Sequence, residues 1–244
     1  MLKKIYDILL KEYGPQGWWP LSENKGKNPT TAGSIKGYSP RDYSFPKTKE
    51  QQFEICIGAI LTQNTNWISV EKALFNLSKN RLINPQNLLD CPIDLLKEAV
   101  RPTGYFNQKA NYLRNFSRFY LALSQRKSDF PVKIPSRKEI KSVTGIGNET
   151  ADSILLYAFK QPEFIVDAYT KRIFSLFGFF DEKAKYDEVK KIFTENLNQC
   201  LLSDQEKVIV FQEYHALIVN HAKTHYNKKP YKKDKIIQKT LNSV

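Results

Sequence analysis

The sequence predicts an all-α protein, and three observations carry that prediction. From Thr48 onward apolar residues recur at the spacing of a helix face, and the period-two alternation of half-buried strands is nearly absent. The chain has no internal repeat, and its 244 residues suit one large domain or two compact lobes.

The elements follow in order. The opening MLKKIYDILLKEYG places Leu2, Ile5, Tyr6, Leu9 and Tyr13 on one face, with charges interspersed, so it reads as an amphipathic helix and not as a signal peptide. GPQGWWPL comes next, and then 25 polar residues, SENKGKNPTTAGSIKGYSPRDYSFP, rich in Gly, Pro, Ser and Asn. An irregular loop over 21–47 is expected, longer than an ordinary connection and therefore functional or mobile. Helices are predicted at 49–61 on Phe53, Ile57, Ile60 and Leu61, at 67–79 on Val70, Leu74 and Leu77, and at 104–123 on Tyr112, Phe116 and Tyr120. Others are predicted at 136–143, 149–159, 169–177, 185–197 and 203–224. The tail, 223–244, carries Asp234 as its one acid among many lysines, and reads either as a solvated end or as a phosphate-contacting one.

Composition narrows the function. Lys and Arg number 38 against 25 Asp and Glu, a net charge of +13, which makes a polyanion the first expected partner. No apolar run approaches the roughly 18 to 20 residues that cross a bilayer. Cys56, Cys91 and Cys200 are far apart and read as buried thiols of a reducing compartment, not as a disulfide framework or a metal site. The expectation is a soluble intracellular protein, cytoplasmic or nucleoid-associated in a prokaryote, monomeric, with no membrane partner and no metal.

Two stretches carry chemistry. SRKEIKSV, TGIG and NETADSILLYAF have the outline of helix, tight turn, helix. Gly145 and Gly147 permit positive φ and close backbone approach, and the turn leaves the second helix's first N–H groups unpaired. Gly145, Ile146, Gly147, Asn148, Glu149 and Thr150 would then hold a phosphate without reading a base. FIVDAYTKRIF follows, with Asp167 at the end of an apolar run and the start of a helix. Asp167 reads as an N-cap, as a partly desolvated catalytic carboxylate, or as both, since capping fixes the side chain that chemistry would use. In GYFNQKA, Asn107, Gln108 and Lys109 read as a helix start with one phosphate-facing cation.

Together, VTGIGNETADSILLYAF and FIVDAYT resemble the helix-hairpin-helix superfamily of DNA glycosylases, the endonuclease III group. ILTQNTNW and HALIVNHAK extend the resemblance over most of the chain beyond residue 50. It implies two helical lobes with the active site in the groove between them. A six-helix barrel-like lobe would span 48–160 with the hairpin at about 136–159, and 1–47 with 161–244 would form the second. It makes Asp167 the essential carboxylate and points to Gln63, with Asn64, as the wedge that fills the gap left by an extruded base. A monovalent cation on the hairpin carbonyls is also implied.

Two departures sharpen this. Bifunctional members carry a nucleophilic lysine where this chain has Glu149, and a carboxylate cannot form the Schiff base that strand cleavage requires. Many relatives end in four cysteines that bind a [4Fe–4S] cluster, whereas this chain has no Cys after Cys200 and carries residues such as Tyr226 and Lys232 there. GWWP, FEICIGAILTQNT, VRPTGYFNQKA and GIGNETADSIL resemble most the 3-methyladenine DNA glycosylase III branch, which lacks both features. That branch implies a base pocket of Trp18, Trp19, Pro20 and Phe53, with Lys223 from the last helix, although without the resemblance WWP reads as ordinary core. The long segment after Pro20 departs from the branch.

The implied function is monofunctional excision of alkylated purines such as 3-methyladenine from damaged double-stranded DNA, without cofactor. Alkylation at N3 or N7 makes the base cationic and a good leaving group, and an aromatic cage adds about 0.5 to 2 kcal/mol per cation–π contact. Action on a mismatched thymine or an oxidised base, and a non-catalytic DNA-binding role, are the alternatives.

Overall fold

The computed structural model describes residues 1–27, 36–125, 130, 132–201, 203–229, 231 and 234–241. Among them are twelve α-helices and no strand. The chain divides into two compact units, one of Met1–Pro20, Asn24–Tyr43 and Lys160–Val244, the other of Leu21–Glu23 and Ser44–Phe159.

The second of these is built around helix α2, Lys49–Leu61, whose residues from Gln51 to Leu61 are all buried. A helix buried on every side must satisfy its polar groups internally. Gln52 does so by donating to Ala158 O at 3.0 Å and accepting from the Tyr120 hydroxyl at 2.9 Å. Glu54 accepts from the Ser22 backbone N–H at 2.7 Å and from its hydroxyl.

Against α2 pack α3, Trp67–Lys79, and α6, Phe106–Gln125. Asn66 starts α3 by accepting from Ser69 N–H. Two helices not singled out from sequence, α4 (Pro85–Asp90) and α5 (Ile93–Val100), fill the stretch between them. Then α7, Arg137–Lys141, opens with a Ser136–Glu139 capping box, and α8, Asn148–Ser153, runs into a π-helical turn at Ile154–Ala158.

In the other unit α11, Asp204–His225, runs through the core, and α1 (Leu2–Tyr13) and α9 (Ala168–Leu176) pack on it. With α10 (Tyr186–Asn198) they enclose an aromatic cluster in which Phe164 stacks on Phe193 at 4.4 Å and the Tyr214 hydroxyl donates to Leu2 O at 3.0 Å. Truncating Phe193 in such a core costs about 3–5 kcal/mol. In the tail, α12, Lys235–Leu241, packs on α1; Lys232 and 242–244 lie outside the described residues.

Two expectations are corrected here. Cys56 alone is a buried thiol; Cys91 is half-buried and Cys200 exposed, because each lies at or next to a helix end and not on a packed face. The predicted continuous helix over 149–159 changes to π geometry at Ile154. No helix among the described residues is long and apolar enough to cross a membrane.

Candidate functional site

The unit built around α11 holds Asp167, Trp18, Trp19, Pro20 and Lys223. The buried run Phe164, Ile165 and Val166 delivers Asp167 in extended conformation (φ −91°, ψ 179°) to the first position before α9. Its Oδ1 accepts from Thr170 N–H at 2.7 Å and from the Thr170 hydroxyl at 2.8 Å. Oδ2 faces His215 Nε2 at 3.8 Å, beyond direct hydrogen-bond length. Asp167 is thus both N-cap and candidate catalytic group, one oxygen structural and the other directed at a neighbour, in a setting 8% exposed.

His215, on α11, is 7% exposed. Burial lowers its pKa below the ordinary histidine value, and the Asp167 carboxylate opposes that shift. The Trp18 ring meets it edge-to-face, with centroids 5.6 Å apart and an interplanar angle of 89°. Lys223, further along α11, is exposed; desolvation by the surrounding protein lowers its pKa, and Asp167 again opposes.

Two residues before His215, Glu213 fixes the backbone that leads into Trp18. It accepts from Gln16 N–H at 2.7 Å and Gly17 N–H at 3.2 Å. Burial raises its pKa, while those two bonds and one from Tyr43 hold it down. Gly17 lies at φ +69°, and a Cβ there would come 2.3 Å from Pro40 N. Ser39 N–H donates to Gly17 O at 3.0 Å, so the described part of the long 21–47 loop buttresses the tryptophan segment; residues 28–35 lie outside the described residues. Trp18 is half-buried and Trp19 only 8% exposed, with the two rings at 83°. Trp18 is therefore the member with surface left to offer a ligand, and Trp19 belongs to the core.

The other unit holds the hairpin. Gly145 lies at φ +98°, and a Cβ there would come 2.2 Å from the Tyr112 ring, so both conformation and packing require glycine. Gly147 precedes α8, and no side chain caps that helix. Glu149 is exposed in the first turn, where a carboxylate suits the helix dipole. Arg137 and Asp152 form a two-pronged ion pair, at 2.7 and 3.1 Å, tying α7 to α8. Beside it Arg137, Lys138, Lys141 and Ser142 line a basic cleft of about 520 Å³.

Gln63 does not stand free: its side-chain amide donates to Gly145 O at 2.9 Å and to Thr150 Oγ1 at 3.0 Å. Asn64 takes a left-handed conformation, φ +51°, which Asn tolerates. Both line a cleft of about 190 Å³ with Tyr105, Gln108, Lys109 and Tyr112. Tyr105, not singled out from sequence, has φ +46° and is 64% exposed.

The phosphate-facing role expected of Lys109 is overturned. Lys109 is 2% exposed, and its ammonium donates to Leu61 O and Thr103 O at 2.9 Å each. It closes the carbonyl end of α2, and burial pushes its pKa down to about 8. Phe53 is fully buried against Tyr120, with ring centroids 5.0 Å apart. No group of three or more His, Cys, Asp or Glu able to hold a metal occurs among the described residues. Glu213 and His215 escaped the sequence reading; their signal was a Glu and a His inside the apolar run VIVFQEYHALIV.

Known proteins resemble this chain in sequence and in fold. Residues 57–199 match the family described as the HhH-GPD superfamily base excision DNA repair protein. A Methanocaldococcus jannaschii protein whose name assigns it, provisionally, to the DNA repair glycosylases is 42% identical over 94% of this chain and 90% of its own length. Endonuclease III of Sulfolobus acidocaldarius is 28% identical over 73% of this chain and 76% of its own. Among solved structures, the H. pylori 3-methyladenine DNA glycosylase MagIII, bound to 1,N6-ethenoadenine, superposes with a TM-score of 0.67 at 30% identity, covering 91% of this chain and 95% of that one. An endonuclease III trapped covalently on DNA has a TM-score of 0.65 at 18% identity, covering 93% of this chain and 87% of its own, and shares the fold.

Proposed function

The chain belongs to the HhH-GPD superfamily of base excision DNA repair proteins, and from that premise we propose that this DNA glycosylase is monofunctional and excises alkylated purines such as 3-methyladenine. The observation that carries the reading is the division of labour at Asp167. Its Oδ1 is held by Thr170, and its Oδ2 faces the Trp18 and His215 neighbourhood.

In this reading DNA binds as a monomer's substrate. Phosphates meet the backbone of Gly145 to Thr150, where α8 has no side-chain cap. Gln63 and Asn64, with exposed Tyr105, fill the gap as the damaged base leaves the stack. The extruded cationic base stacks on Trp18, with Trp19 and Pro20 behind it; the 1,N6-ethenoadenine bound by the H. pylori relative is likewise a flat purine derivative, although uncharged. Phe53, fully buried, enters the reading on family resemblance alone. Lys223 lies near enough to Asp167 to feel its charge and borders the same site.

Asp167 stabilises the positive charge that develops on the sugar and orients water for attack. A cationic purine needs little leaving-group assistance, so no strong general acid is required. Glu149 replaces the lysine on which strand cleavage by β-elimination depends, which supports base release alone. A [4Fe–4S] cluster does not fit: it needs thiolates, the chain has none beyond Cys200, and the Tyr226 hydroxyl is committed to Asp234 at 2.7 Å. A monovalent cation at the hairpin would share carbonyls already accepting from protein donors, such as Gly145 O; no step depends on it.

The test is a panel of duplexes, each with one defined lesion, scored separately for free base and for strand scission. Release of methylated purine, with nicking only after alkali, supports the reading. Release of thymine or an oxidised base in its place would favour a neutral-base glycosylase.

A further inference from the structure

His215 is a buried imidazole that the mechanism above leaves without a task. It lies on α11 with Nε2 3.8 Å from Asp167 Oδ2, and the Trp18 ring closes on it edge-to-face at 5.6 Å. The gap to Asp167 is too long for a direct hydrogen bond and short enough for one water to bond both atoms. Oδ1 of Asp167 is already committed to Thr170, so Oδ2 is the oxygen available to such a water.

We propose that His215 is a second catalytic residue, holding the attacking water between its Nε2 and Asp167 Oδ2 beside the Trp18 ring. Neither residue alone defines the position of a water in three dimensions; two polar atoms at a fixed separation restrict it to a small arc, which the Trp18 ring narrows further. Both polar atoms are anchored: Asp167 by its cap on α9, and His215 by a helix buried on nearly every side. Burial lowers the imidazole's pKa, with the Asp167 carboxylate opposing, which favours the neutral ring over an ion pair with Asp167.

The reaction balances. The water oxygen bonds to the anomeric carbon of the sugar as the carbon–nitrogen bond to the base breaks. The electron pair of that bond leaves with the base and cancels its positive charge. The water's proton passes to the Asp167–His215 pair and from there to solvent. His215 also meets Trp18 edge-to-face, so the wall that receives the base packs on the group that holds the water.

This inference rests on Asp167 being the site of chemistry, and the experiment separates the two claims. Wild type, Asp167→Asn, His215→Phe and His215→Ala are compared on a duplex carrying one 3-methyladenine, by single-turnover base release and by the DNA concentration giving half the maximal rate. Phe keeps a ring against Trp18 and removes both nitrogens. The expected result is a maximal rate about 100-fold lower in His215→Phe, with the half-saturating concentration within about threefold of wild type. In His215→Ala, loss of the ring moves both quantities. A His215→Phe protein with wild-type melting temperature and wild-type rate would overturn the role of His215 while leaving Asp167 untouched. A His215→Ala protein impaired in both quantities, beside a His215→Phe protein that matches wild type in both, would reduce His215 to packing. An Asp167→Asn protein that releases base at the wild-type rate would defeat the reading of Asp167 itself, and no release by wild type would defeat the alkylated-purine reading.

Discussion

The amide of Gln63 donates to the carbonyl of Gly145 at 2.9 Å, latching the end of α2 to the hairpin turn. A wedge that enters a duplex must leave that acceptor, and Thr150 Oγ1 with it. Gln63→Ala therefore acts twice. Stability falls by about 1–2 kcal/mol, the worth of two neutral hydrogen bonds. Base release at sub-saturating DNA falls by about tenfold or more, because nothing offsets unstacking. Denaturant unfolding and single-turnover release measure the two effects; unchanged release with reduced stability would make Gln63 a latch only.

The two hairpin glycines behave differently when a methyl group is added. Gly145→Ala forces a Cβ to 2.2 Å from the Tyr112 ring at φ +98°, and destabilises the protein by about 1–3 kcal/mol. Gly147→Ala meets nothing within 4 Å and leaves stability within about 1 kcal/mol. Its cost falls on binding, where the methyl group stands in the way of a phosphate. Urea midpoints and DNA affinity at one fixed salt concentration distinguish the pair.

Trp18 is half-buried and Trp19 is buried, so their removal has different expected costs. Trp18→Ala weakens binding of free 3-methyladenine, which is neutral once released, by about 2- to 12-fold, the range of one aromatic stacking contact. Trp19→Ala costs about 3–5 kcal/mol of stability, as truncation of a buried ring does. Calorimetric titration with the free base and denaturant unfolding give the two readouts, and a reversed pattern would exchange the roles.

Asp234 staples the tail. Its Oδ2 accepts from His221 Nε2 at 2.9 Å and the Tyr226 hydroxyl at 2.7 Å, and its Oδ1 accepts from Ile236 and Ile237 N–H at 3.0 Å each. Burial pushes its pKa up, but these bonds and attraction to His221 outweigh that and bring it down to about 2. The folded pKa lies below the ordinary aspartate value of 3.8. Its stabilisation, about 2 kcal/mol, is present above that value and is lost as pH falls through about 2. Asp234→Asn removes it, so the stability difference from wild type is largest near neutrality and narrows in acid. Denaturant midpoints across that pH range test the sign.

Much of this was legible from local pattern. The amphipathic α1, the periodic α3 and α6, and Asp167 at its cap all announce themselves, because a half-buried helix displays its contrast in sequence. The short α4 and α5 did not: six and eight residues are too few to show a periodic face, and Pro85 and Pro92 lie at their starts. Buried α11 has polar residues among apolar ones and no face to betray their partners, so Glu213 and His215 stayed hidden. Lys109 misled for a related reason: its two carbonyl acceptors, Leu61 O and Thr103 O, are brought to it by tertiary packing and have no local signature. Asp234 sat in a run of lysines that disguised a buried carboxylate as a solvated tail.

The most direct test of the whole account is a single-turnover reaction on a duplex with one 3-methyladenine, counting free base and cut strand for wild type and Asp167→Asn. The account predicts prompt release of base by wild type, intact strands until alkali is added, and release reduced by about a hundredfold or more in Asp167→Asn at unchanged DNA affinity. Strand cleavage without alkali, or an Asp167→Asn protein that releases base at the wild-type rate, would contradict it.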